Sequence, residues 1–490
     1  YYSGFRFKGM VALIIVVVLF AGAFLYFRTN RVYGVAVLPF ANETADAGFD
    51  YLADGMAESL SRKLVGTNGF RSITYSKLAG LTSADGDANL IGRNVQADLV
   101  LTGRIYRDAG SLSVETTLSD TSDGSVLRLA SQELSLGDIQ TVESSLLERM
   151  FAGPEIRTFA ELGNANRITG RAPKPEAFQQ YLIGRHHWRK RDRENIEKAI
   201  TAFQRAIDLD ASYSQAWAGL ADSFILQSSV AYGSTPAKDS FAKARAAAKE
   251  AIKIDPLNAE AHTSLCIVLT KQDWNWQEAE REYRIALDID PDYGPAHFWY
   301  ASLLGITGRR VESIASAEKA KELDPFSPLV EYNLARTYYY ARQYDRALEV
   351  LNAQTAAPKN EEKILYMAGL IYLQKGMQAE ALKVFQDVSA KNRMLGIAAV
   401  GYTYGRMGRR KEALNIIADL ERSSTGSYIP PQELALIYIG LNERDKAFHY
   451  LNKTFEERYG AFTSLKVEPL FDPIRDDPRF AALLQQMALN

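Results

Sequence analysis

Residues 9 to 27, GMVALIIVVVLFAGAFLYF, form an apolar run without a single charge. A helix needs roughly 20 such residues to cross the hydrocarbon layer, so the run predicts one transmembrane helix within an anchor of residues 1–30. It is longer than the roughly 7 to 15 apolar residues of a signal-peptide core, and no small-residue cleavage site comes before Arg28. Downstream the pattern breaks into short periods. VYGVAVLPF over 32–40 is rich in β-branched residues and ends at Pro39, as a buried strand does. Leu52, Met56, Leu60 and Leu64 recur every fourth position and predict an amphipathic helix over 50–65. A strand over 70–75, a short helix over 89–96 and a strand over 97–106 complete a βαβαβ order. Alternation over 111–119 and 125–134 around Ser122-Asp123-Gly124 predicts a hairpin, and a helix over 136–151 closes a small α/β domain of residues 31–151.

Gly153, Pro154, Gly163, Gly170 and Pro173 mark a linker over 152–174. From 175 to 458 the dominant signal is self-similarity at about 34 residues, the period of paired-helix repeats. In the first helix of each pair a small residue stands where its partner crosses closely, with a large apolar or aromatic residue one turn later. The series runs through Gly184, Ala221, Cys266, Ala301, Ala335, Gly369, Gly401 and Ala435. Pro256, Pro291 and Pro325 stop the second helices of three pairs. The fold class expected is mainly α: a solenoid of about eight helix pairs with a cap over 459–490, preceded by the α/β domain and the membrane helix. The cap is expected to cover the last repeat.

A chain of 490 residues with 47% hydrophobic and 24% charged residues should fold as several domains. Its net charge of -2 provides no basic face for nucleic acid. The single cysteine, Cys266, rules out an internal disulfide and sits at a small-residue position, which reads as a buried spacer. Of five histidines only His186 and His187 adjoin, and on a helix they point in different directions, so no metal site is expected. GxxxxGK[ST], HExxH and GxSxG are missing from the sequence, and no acid/base pair or nucleophile assembles. No catalytic residue and no cofactor is expected. Asp54 reads as an acidic residue favourable to its helix dipole, and Gly103 and Gly110 as backbone bends. Arg6 and Lys8 on one side of the apolar run balance Arg28 and Arg31 on the other, so charge leaves the orientation open.

The strings VAVLPFAN, YLADGMAESLSRKL and ADLVLTGRIYR resemble the TolB-like amino-terminal domain of bacterial membrane-signalling proteins. The repeats resemble tetratricopeptide (TPR) repeats, and the junction PEAFQQYLIGRHHW together with the tail VEPLFDPIRDDPRFAALLQQM is similar to proteins that join the two. The resemblance implies a sensor or interaction fold without catalytic residues. It also implies a place at the bacterial inner membrane with both regions extracytoplasmic, and a winged-helix, kinase or cyclase output domain preceding Tyr1.

In a helical-pair solenoid the first helices line the concave face. That register points Tyr332, Arg336 and Tyr339 inward, followed by Tyr402 and Arg406, as a groove for a protein or peptide; Tyr338 occupies a packing position. Tyrosine and arginine anchor interfaces because each buries a large area and keeps a polar tip. Trp274 and Trp276 flank the turn of the third pair, either as an exposed contact or as cover for the loop. The function expected is a membrane-anchored interaction scaffold, the sensor part of a signalling protein. The alternative is a self-contained envelope scaffold that assembles into homo-oligomers.

Overall fold

A computed structural model describes residues 33–64, 70–73, 78, 87–151, 172–229, 237–324, 327–353, 361–423, 429–458 and 460–489. The predicted membrane helix over 9–27 and most of the predicted linker lie outside the described residues. Among the described residues no helix is long and apolar enough to cross a membrane. The chain forms two compact units, Tyr1–His186 and His187–Asn490.

The first unit is built on one sheet. Its strands are β1 (Tyr33–Val37), β2 (Ala41–Asn42), β3 (Phe70–Ile73), β4 (Leu99–Asp108), β5 (Ser111–Asp120) and β6 (Val126–Glu133). They run in the order β3-β1-β4-β5-β6, with the two residues of β2 beside β4. β1 lies parallel to β3 and β4, while β4, β5 and β6 form an antiparallel meander. Val35, Ala36, Val37 and Leu38 are fully buried, which is why this strand reads as an unbroken apolar run rather than an alternation. Helix α1 (Asp50–Leu64) buries Leu52, Met56, Leu60 and Leu64; α2 (Ala88–Asn94) and α3 (Ile139–Phe151) complete the layer.

Two sequence readings need correction here. Gly103 is no bend: it lies within β4, and a Cβ there would come within 2.7 Å of the Phe40 ring, so the glycine makes room for that phenylalanine. Gly110, with φ of 94°, does turn the chain between β4 and β5. Asp54 stands a turn inside α1, and its Oδ2 lies 2.8 Å from His186 Nδ1 instead of serving the helix end. His186 belongs to α4 (Pro175–Lys190), the first repeat helix. Arg185 on α4 also pairs with Glu58 of α1 at 2.7 Å, and Leu182 packs against Gly55. The division between the two units falls within α4.

The second unit holds the repeats from the end of α4 onward. Helices α4 to α19 follow one another in chain order as eight pairs among the described residues, beginning with α4 and α5 (Arg193–Leu209). Then come α6 (Ser214–Gln227) with α7 (Ala237–Ile254), α8 (Ala259–Val268) with α9 (Trp276–Ile289), and α10 (Gly294–Thr307) with α11 (Arg310–Leu323). The later pairs are α12 (Pro328–Tyr340) and α13 (Tyr344–Asn352), α14 (Glu361–Gln374) and α15 (Gln378–Lys391), and α16 (Arg393–Arg406) and α17 (Arg410–Ser423). The last is α18 (Pro431–Gly440) with α19 (Arg444–Glu456). Aspartates end several second helices and fold the next turn: the side chains of Asp210, Asp255 and Asp290 each accept from the backbone N–H two residues on. The small residues do what their spacing implies. A Cβ on Gly369 would lie 2.6 Å from the Phe385 ring, and one on Gly440 would lie 2.4 Å from the Tyr402 carbonyl oxygen.

Candidate functional site

The tail after α19 does more than cover the last repeat. It makes two short 3-10 turns, Gly460–Ser464 and Pro469–Ile474, and ends in α20 (Pro478–Gln486). Phe462, Leu465, Phe471 and Ile474 are almost completely buried, so these turns are core. The tail still binds the last pair, with Arg444 paired to Asp476 at 3.0 Å and Arg479 to Asp445 at 2.8 Å. It also runs back along the first helices of earlier pairs. Lys466 Nζ donates to the carbonyl of Thr307 in α10, Arg342 pairs with Asp472 at 2.8 Å, and Arg458 Nη1 donates to the carbonyl of Gln272 at 3.0 Å. Trp276 Nε1 donates to the carbonyl of Met487 at 2.7 Å.

This placement decides the fate of the predicted groove residues. Tyr339 is fully buried, and its hydroxyl donates to Glu468 of the tail at 2.7 Å, so it is not open to a partner. Burial pushes its hydroxyl well above the usual tyrosine range. Tyr402 is buried too, and burial raises its hydroxyl to about 12. Arg406 is exposed. Tyr332 and Arg336 remain together, with the guanidinium 5.8 Å from the centre of the tyrosine ring. Tyr338, read as a packing residue, is buried and donates to Glu318 at 2.5 Å. Trp274 and Trp276 are both buried: the ring of the first lies tilted against Phe455 at 5.4 Å and the second anchors the tail, so they are interior contacts to the C-terminal region. Cys266 is buried, and burial pushes its thiol well up, out of the reactive range.

Tyr332 and Arg336 line a cavity of about 220 Å³ between the first helices and the tail. Its wall is drawn from α10, α12, α14 and α18, from Lys271, and from Thr463 to Phe471 of the tail. Arg336 Nη2 donates to Asn333 Oδ1 at 2.6 Å and to Ser302 Oγ at 3.0 Å. Both acceptors are neutral. Lys271 has its ammonium over the Trp299 ring at 5.9 Å. Burial, with the Arg336 guanidinium adding its repulsion, lowers the Lys271 amine to about 8. Glu468 is the carboxylate on the same wall, where it accepts from Tyr339 and from the Leu470 N–H at 3.2 Å. Burial raises its carboxyl above the usual value, and the Tyr339 hydrogen bond works against that shift.

Sequence reasoning missed Lys271, although the chain carries a signal for it. In five later pairs the left-handed residue that turns the first helix into the second follows the small residue by seven positions, as in Ala301 to Gly308, Ala335 to Arg342 and Gly369 to Gly376. In the third pair the interval from Cys266 to Trp274 is eight. The extra residue is absorbed as a π-helical turn over Leu269–Asp273, and Lys271 lies at its centre.

Residues 181–231 and 332–392 match the model of the tetratricopeptide repeat family. The chain contains tetratricopeptide repeats. Over 240 residues it is 24% identical to "Putative adenylate cyclase 3" of Rhizobium meliloti, a match covering 48% of this chain and 40% of that protein. The chain thus spans about two fifths of that relative's length. Among solved structures, it is similar to pilF of Pseudomonas aeruginosa at 19% identity, covering 44% of this chain and 94% of the other, with a TM-score of 0.34. It is also similar to a tetratricopeptide repeat protein of Parabacteroides merdae at 16% identity, covering 51% and 93%, with a TM-score of 0.38.

Proposed function

We propose that the chain is the interaction and sensing part of a bacterial signalling protein, held at the inner membrane by the helix over 9–27, with its α/β and repeat regions extracytoplasmic. The reading is of a binding module rather than an enzyme, because paired-helix repeats present stacked surfaces to protein or peptide partners. One observation carries it. Arg336 and Tyr332 stand together on the first-helix face of the fifth pair, and among the described residues the guanidinium bonds neutral acceptors alone, which leaves it available to an acidic group of a partner. The relative named as a cyclase supports the signalling context, since the matching stretch accounts for 40% of its length.

Arg336→Glu tests the binding role. The variant should keep its helical circular dichroism and lose capture of the partner from detergent-extracted native membranes; equal capture by both forms removes the proposed surface. The intact mass of the native membrane-extracted chain tests the signalling role. A mass well above 54.6 kDa fits fusion to an output domain, and a mass close to it leaves a self-contained anchored protein.

A further inference from the structure

The cavity behind the tail combines three features that point to a small acidic ligand. The first is charge. Lys271, from the π-helical turn, and Arg336, from α12, line the same space and repel each other. Among the described residues neither is paired with a carboxylate: the guanidinium is held by Asn333 and Ser302, and the ammonium by the face of Trp299. Glu468, the acid on that wall, is engaged by Tyr339 and by the Leu470 N–H. Two partly desolvated cations with no carboxylate bonded to them form a costly arrangement that an anion between them would relieve.

The second feature is size and lining. A cavity of about 150 Å³ lined by apolar side chains is known to admit benzene. The 220 Å³ here is therefore enough for one ring and a charged substituent. Tyr332, Tyr340 and Tyr366 line it, together with Ile306, Leu370 and Leu436. The third feature is an acceptor left over: Gln432 Oε1, on the same wall, is buried and makes no hydrogen bond. A buried acceptor without a donor costs stability until something donates to it.

We propose that this cavity binds a small organic carboxylate about one ring in size, its carboxylate between Lys271 and Arg336, its ring among the tyrosines, and a hydroxyl donating to Gln432. The site shares Arg336 with the proposed partner surface, and binding of a small molecule reads it separately from capture of a partner. Because the tail supplies one wall through Thr463, Ser464 and Phe471, a ligand bound here also fastens the tail to the repeats.

Isothermal titration calorimetry of the full chain in detergent tests the site, using benzoate, 4-hydroxybenzoate and cyclohexanecarboxylate, with benzyl alcohol as the uncharged counterpart. The carboxylates should bind, 4-hydroxybenzoate more tightly than benzoate, and benzyl alcohol should bind at least about tenfold more weakly than benzoate. Lys271→Met and Arg336→Gln should each weaken 4-hydroxybenzoate by about tenfold or more. If one variant fails to fold, the other still decides the matter. Equal affinity for benzoate and benzyl alcohol, unchanged affinity in a folded variant, or no binding by any of the three carboxylates at millimolar concentration overturns the proposal.

Discussion

The hydroxyl of Tyr339 donates to Oε1 of Glu468 at 2.7 Å, joining residues 129 positions apart. The tyrosine belongs to the helix face that a solenoid turns toward its partner, and the glutamate belongs to the tail. The chain thus supplies part of the occupant of its own inner face. Tyr339→Phe removes the donor and leaves the buried carboxylate with the Leu470 N–H as its remaining hydrogen-bond donor. Denaturant unfolding should show a loss of about 1 to 3 kcal/mol. No measurable loss would mean that the tail is not packed as described.

Trp276 fixes the far end of the same tail through the Met487 carbonyl. Trp276→Phe keeps most of the ring area and removes the N–H. Limited proteolysis should then cut within residues 478–489 faster than in the unaltered protein, while the rest of the fragment pattern stays the same. An unchanged digestion rate would show that the hydrogen bond does not hold the terminus.

Ala301 and Ala335 are fully buried at the close helix crossings of the fourth and fifth pairs. Leucine at either position overfills a packed interface and should cost about 1 to 3 kcal/mol, read as a lowered melting temperature. A melting temperature equal to that of the unaltered protein would mean that the repeat register is misplaced.

Glu433, in the first turn of α18, has its carboxyl raised by burial to about 7 from the usual 4.5. The native state then keeps a proton that the unfolded chain releases, so stability falls as pH rises from about 4.5 to about 7 and stays reduced above that. Glu433→Gln, which cannot ionise, should be the more stable form at pH 8 by about 1 to 2 kcal/mol. The gap should close toward pH 4.5. A gap independent of pH would show that the carboxyl titrates normally.

Much of this architecture was legible along the chain because it rests on local periods. The fourfold spacing of Leu52 to Leu64 became α1, and the small residues from Ala221 to Ala435 became close crossings, since a helix seats every third or fourth side chain on one face. The candidate site was less legible. Tyr332 and Arg336 were placed on the inner face by register alone, and they do line the cavity. Tyr339 and Tyr402 were placed there too, and the structure buries them. Register states which way a side chain points, not what fills the space in front of it.

By itself the sequence determined the paired helices, their close crossings and a small sheet ahead of them, because each of these depends on residues within a turn or two of one another. It also held the extra residue between Cys266 and Trp274, whose meaning required the other pairs for comparison. Only the tertiary structure decided that the tail returns along the first helices to Trp276 and Tyr339, and that Lys271 meets Arg336 across a cavity. These relationships join residues 65 to 211 positions apart and depend on how several pairs stack on one another. No local pattern of apolar and polar residues carries that stacking.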